Sequence, residues 1–167
     1  LSESISAKYD ENPAYYDSFS QRIKTALREY REKLLSDADY LAKLRTIADD
    51  YRTGRGTLTY PDSIGNDPHA QAFYGVLRPV FDEAAEVREN AISYEATAEI
   101  AKEMKEIIET HSRVDWTHNR DIHNRIAQDI DDYFYRYSRE SGIPFDMKTV
   151  DKVIENVKTV AMRRFRK

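Results

Sequence analysis

The sequence predicts an all-α fold of five to six helices, opening with an antiparallel hairpin and carrying one long irregular loop. Three observations lead there. Apolar residues recur at three- and four-residue steps in every long segment, the pattern of amphipathic helices. Only five Gly and five Pro stand among 167 residues, about half the usual share of about 12%, which leaves few turns for a many-stranded sheet. No stretch sustains the two-residue alternation of a half-buried strand.

Asn12-Pro13 reads as a helix cap followed by proline at the first helical position. Behind it Tyr16, Phe19, Ile23, Leu27, Tyr30 and Leu34 form one stripe. Ser36-Asp37-Ala38-Asp39 opens a second helix in a near capping box. Tyr40, Leu41, Leu44, Ile47, Ala48 and Tyr51 are its stripe, and Gly54 is its stop. Residues 1–52 are thus expected to form the hairpin. Residues 53–68 hold three of the five glycines and two of the five prolines and are expected to be the loop. Residues 69–167 should form a helical bundle within the same helical domain.

Asp67-Pro68 starts the third long helix, which Pro79 is expected to end or kink. Residues 80–92 are helical in character but weakly patterned. Ser93 caps a fourth helix that carries Ala96, Ile100, Met104, Ile107, Ile108 and His111. After the short link Arg113-Val114-Asp115-Trp116, Thr117 is the expected cap of a fifth helix with Ile122, Ile126, Ile130, Tyr133, Phe134 and Tyr137. Gly142 ends it, with Pro144 just beyond. Asp146 caps the last helix, whose stripe includes Val150, Val153, Val157, Val160 and Phe165. Trp116, the single tryptophan, is expected to be a buried anchor at the junction of the fourth and fifth helices.

Composition and motifs argue against chemistry. The chain has no cysteine, so disulfides and Cys-based metal sites are impossible. Phosphate-loop, GxSxG, HExxH, EF-hand and GxGxxG patterns are absent. Pro61-Asp62 with Glu103-Met104-Lys105 imitates the PD…ExK layout of metal-dependent nucleases. Glu103 and Lys105, however, fall mid-helix two residues apart and point in different directions. His111, His118 and His123, with Asp115 and Asp121, lack the i,i+4 spacing of a helical metal site and read as polar surface. His69 reads as a solitary loop histidine. No catalytic, cofactor or metal residue is therefore assigned, and the chain is expected to be catalytically inert. The formal net charge of −4 gives no global pull toward nucleic acid. The local exception is a basic end, Lys158, Arg163, Arg164, Arg166 and Lys167, which could touch phosphate or complement the negative end of the last helix. No apolar run reaches the ~20 residues of a membrane span. The chain opens at Leu1 without a signal-peptide layout, and a piece of a cytoplasmic protein is expected.

The run Val114-Asp115-Trp116-Thr117, then Asp121-Ile122, Arg125-Ile126, a helix of about twenty residues, and Gly142-Ile143-Pro144 before a closing amphipathic helix resembles a known family. It is similar to the C-terminal region of the motor (R) subunit of type I restriction enzymes. Tyr60-Pro61-Asp62-Ser63-Ile64, Ala70-Gln71-Ala72-Phe73-Tyr74 and the opening hairpin, with Asp39-Tyr40-Leu41, extend the resemblance across nearly the whole chain. One departure is Asn119-Arg120, where members of the family often carry a basic residue and then an acid. The resemblance implies a helical domain that follows nuclease and motor domains in an ATP-dependent site-specific deoxyribonuclease. ATP and Mg²⁺ are then expected in the parent subunit and none in this chain. It also implies docking of the translocase onto the methyltransferase and specificity subunits. The alternative is an accessory domain contacting DNA or nucleotide through the basic end or the 53–68 loop. Interfaces favour aromatic and Arg anchors. The expected contact residues are accordingly Arg125, Tyr133, Arg136 and Tyr137 on the fifth helix, with Arg163, Arg164 and Arg166 at the end.

Overall fold

The computed structural model describes residues 1, 3, 5, 8–54, 59–87 and 92–166. Six α-helices run along them: α1 (Pro13–Arg31), α2 (Asp37–Thr53), α3 (Pro68–Val87), α4 (Tyr94–His111), α5 (Arg120–Ser141) and α6 (Met147–Arg164). Short 3₁₀ turns lie at Tyr9–Glu11, Asp62–Ile64 and Trp116–His118, and no strand occurs among the described residues. The all-α expectation holds. Within it the contacts group into two units, Leu1–Thr59 and Tyr60–Lys167.

The first unit is the hairpin of α1 and α2. Asn12 caps α1 by accepting from the Tyr15 N–H, and Ser36 caps α2 by accepting from Asp39. Phe19, Ile47 and Ile5 form a small buried cluster with Tyr15, Tyr16, Ile23 and Tyr51 around it. Arg22–Asp50 at 2.8 Å and Lys43–Glu29 at 2.6 Å cross between the helices, and Tyr30 stacks on Tyr40. Leu34 does not extend the α1 stripe as expected. Lys33 turns left-handed at φ 60°, its N–H bonds Tyr30 and the Leu34 N–H bonds Glu29. That is a Schellman stop built on lysine rather than glycine, and it leaves Leu34 exposed.

The second unit is a ring of four helices in which α3 packs on α4 and α6, and α5 packs on α4 and α6. Phe73, Leu77 and Phe81 of α3 face Ile100, Met104 and Ile108 of α4, Ile126, Ile130 and Phe134 of α5, and the valines of α6 in one core. Pro79 neither ends nor interrupts α3, which continues to Val87. The proline sits on the exposed side, while Leu77, Val80 and Phe81 are buried on both sides of it in sequence. That burial outweighs one missing backbone donor. Of the weakly patterned stretch 80–92, residues 88–91 lie outside the described residues, as do 55–58 of the expected loop. Thr53 closes α2 with Gly54 as its cap, whereas the loop from Tyr60 onward is ordered into the bundle: Ile64 is buried, and the Gln71 amide donates to the carbonyls of Ile64 and Gly65. Arg78 pins the entry to α4, donating to the Ile92 carbonyl (2.7 Å) and the Thr97 hydroxyl (2.8 Å) while lying over the Tyr94 ring.

The link between α4 and α5 also departs from expectation. Thr117 does not cap α5; Asn119 does, accepting from Asp121 and Ile122. Residues 116–118 are drawn into a 3₁₀ turn because Trp116 is fully buried, with Asp115 in the left-handed region ahead of it. The Trp116 Nε1–H donates to the Phe165 carbonyl at 2.6 Å, which ties this link to the end of α6. Trp116→Ala should destabilise the bundle by about 3–5 kcal/mol in urea unfolding. Trp116→Phe keeps most of the ring but orphans the Phe165 carbonyl, so a loss of about 1–3 kcal/mol is expected. A melting curve unchanged in both variants would contradict the anchor.

Candidate interaction surface

α5 presents two faces because its buried residues repeat at four-residue steps, Ile126, Ile130 and Phe134. Arg125 and Arg136 stand eleven residues apart, about three helical turns, and both are exposed on one outer face. Tyr133 and Tyr137 flank the buried stripe and are half-buried. Tyr133 contacts Phe134 edge-on, and Tyr137 packs against Phe145. Burial pushes the Tyr133 phenol well above its ordinary pKa, with the Glu103 carboxylate adding to the effect. Burial also raises Tyr137. Of the four residues expected on α5, Tyr133 and Arg136 come together at one cleft, whereas Arg125 and Tyr137 are not among the residues that line it.

Sequence reasoning missed the other half of this surface. Between α4 and α5 runs a cleft of about 530 Å³, walled by Glu103 and Ile107 on one side and by Asp129, Asp132, Tyr133 and Arg136 on the other. Asp129 accepts from His111 Nε2 at 2.6 Å, which joins the two walls. The signal was present in the chain as acids at positions 129 and 132 interleaved with the expected Tyr133 and Arg136. It was uninterpretable without knowing that Glu103 lies opposite.

The basic end is built differently. The Arg164 Nε–H donates to His69 Nδ1 at 3.0 Å, and the His69 ring lies 4.3 Å from Phe165. Phe165 in turn stacks on Phe73. Arg164 thus holds the last turn against α3, while Arg163 and Arg166 are exposed. Lys167 lies outside the described residues. His69 is not the exposed loop histidine expected: it occupies the first turn of α3 and is half-buried under Phe165.

The nuclease-like residues diverge. Lys105 pairs with Asp67 at 2.9 Å and approaches Glu109 at 3.8 Å, whereas Glu103 faces α5. Burial opposes ionisation of Asp67, but the Ala70 N–H and Lys105 outweigh it and the carboxyl pKa is lowered. Lys105 is raised, chiefly by its bond to Asp67. Among the described residues no group of three or more His, Asp or Glu is placed to hold a metal ion. No helix among them is long and apolar enough to cross a membrane. His123 packs its ring against Trp116, with Nε2 buried and without a partner.

The His69 latch sets a pH dependence. Burial lowers its pKa first, then Arg164 and Lys105, against the opposing pull of Asp67 and Glu109. The stability it contributes is complete above the unfolded value near 6.5 and is lost as pH falls from there through the lowered folded value. The melting temperature should therefore decline between pH 7 and 5, and His69→Gln should decline less. Parallel curves for the two proteins would show that His69 carries no such linkage.

Compared with models of protein families, residues 1–163 match the one described as type I restriction enzyme HindI endonuclease subunit-like, C-terminal. No curated protein and no solved structure matches the chain. The matched span takes in the hairpin, the bundle, and the Asp115-Trp116 and Gly142-Ile143-Pro144 motifs that carried the resemblance. The chain belongs to the family of C-terminal regions of type I restriction enzyme HindI endonuclease subunit-like proteins.

Proposed function

We propose that the chain is a non-catalytic docking domain, which holds an ATP-dependent DNA translocase and endonuclease onto the methyltransferase and specificity subunits of a cytoplasmic restriction complex. Family membership supports a type I restriction endonuclease subunit as the parent. The observation that supports docking is the α4–α5 cleft, where half-buried tyrosine meets exposed Arg136 over a rigid core. Such a combination suits protein contact, because aromatic and Arg side chains supply most of the anchoring energy at interfaces. ATP and Mg²⁺ belong, in this reading, to the motor and nuclease domains of the parent.

A motor that pulls DNA exerts load between its own grip and the site-bound partner. A packed four-helix ring transmits that load with little give, since protein interiors are close-packed. The second reading, direct contact with DNA or nucleotide, draws on the exposed Arg163 and Arg166 at the end of α6. Salt separates the two, because phosphate contacts release counterions and lose affinity steeply as salt rises.

The test mixes the parent subunit, with and without this domain, with the purified methyltransferase core. Truncation should abolish co-sedimentation while leaving ATPase activity elsewhere in the subunit intact. Assembly at full affinity without the domain would overturn docking. Loss of DNA affinity in Arg163→Glu/Arg166→Glu, with assembly preserved, would favour the second reading.

A further inference from the structure

We propose that the α4–α5 cleft receives a basic segment of the partner protein, one presenting Lys or Arg beside an apolar side chain. This rests on the docking reading and names the chemistry of the occupant. The cleft places three carboxylates, Glu103, Asp129 and Asp132, against a single guanidinium, Arg136. Its local charge is therefore negative even though Arg residues were the ones that drew attention to α5. Asp129 is engaged by His111, and the Asp132 carboxylate accepts from the Gln128 amide. Glu103 is half-buried and forms no ion pair among the described residues. The Glu103 carboxylate is therefore open to a charge-assisted hydrogen bond from a partner's Lys or Arg. The Tyr133 phenol reports the same field, since Glu103 and Glu99 both oppose its ionisation.

Between the charges the cleft offers Ile107 and the Tyr133 ring as an apolar seat. Tyr135, 65% exposed, extends along the rim. The occupant then presents its cation to the carboxylates of Glu103 and Asp132 and its apolar side chain to Ile107 and Tyr133. An acidic partner segment or a nucleic-acid backbone would meet three carboxylates here and be repelled. Complementary charge of this kind selects the partner and its register more than it adds raw affinity.

The experiment uses the intact parent subunit and the methyltransferase core. Glu103→Gln with Asp132→Asn keeps shape and removes charge; Glu103→Lys with Asp132→Lys reverses it. Charge reversal should weaken assembly at least tenfold. The neutral pair should weaken it less and flatten its dependence on salt between about 50 and 300 mM, over which the Debye length falls from about 14 to about 6 Å. Circular dichroism checks that each variant folds, and the neutral pair decides the matter if the reversed pair does not. If the neutral pair assembles with wild-type affinity and salt slope while deletion of the domain abolishes assembly, the basic-segment proposal falls and docking stands. If deletion itself has no effect, docking falls as well.

Discussion

The bundle depends on one hydrogen bond with a large ring behind it. Trp116 lies in the link between α4 and α5, and the carbonyl it donates to, that of Phe165, lies just past α6. The contact spans 49 residues of sequence. A buried indole N–H needs an acceptor, and few backbone carbonyls are unserved inside a helical protein other than those at helix ends. Trp116 uses one of them. The same residue, Phe165, offers its ring to His69 and Phe73, so the start of α3, the link before α5 and the end of α6 converge on a single position.

What the sequence made legible is local. Asn12-Pro13, Ser36, Ser93, Gly142 and Asp146 each mark a helix end by chemistry contained within a few residues, and each appears in that role. The fold departs from local preference where distant burial outweighs it or where an atypical residue takes a familiar role. Pro79 is carried through by the buried residues around it. Thr117 yields to Asn119 because Trp116 must go inward first. Lys33 makes a stop that glycine normally signals. His69 looked solitary because its partners, Arg164 and Phe165, are nearly a hundred residues away in the chain.

The candidate surface shows the same division. Arg125, Tyr133, Arg136 and Tyr137 could be placed on the fifth helix from the sequence, and the fold gathers only Tyr133 and Arg136 at the cleft. Spacing could not reveal the facing wall on α4, since a cleft is a property of two helices in register. Glu103 illustrates the point: within its own segment it resembles half of a nuclease motif, and only the packing of α4 on α5 turns it toward Tyr133. The rigid backing matters as well. Ile126, Ile130 and Phe134 lock the inner side of α5, so its outer side chains stand on a fixed base.

The position of the lone tryptophan has a spectroscopic consequence. Trp116 emission reports only the unit spanning residues 60–167, because the hairpin contains no indole. The hairpin instead holds six of the twelve tyrosines, Tyr9, Tyr15, Tyr16, Tyr30, Tyr40 and Tyr51. Selective excitation of the indole therefore follows the bundle by itself, while far-ultraviolet ellipticity follows both units. Any gap between the two signals on heating measures how independently the hairpin and the bundle unfold.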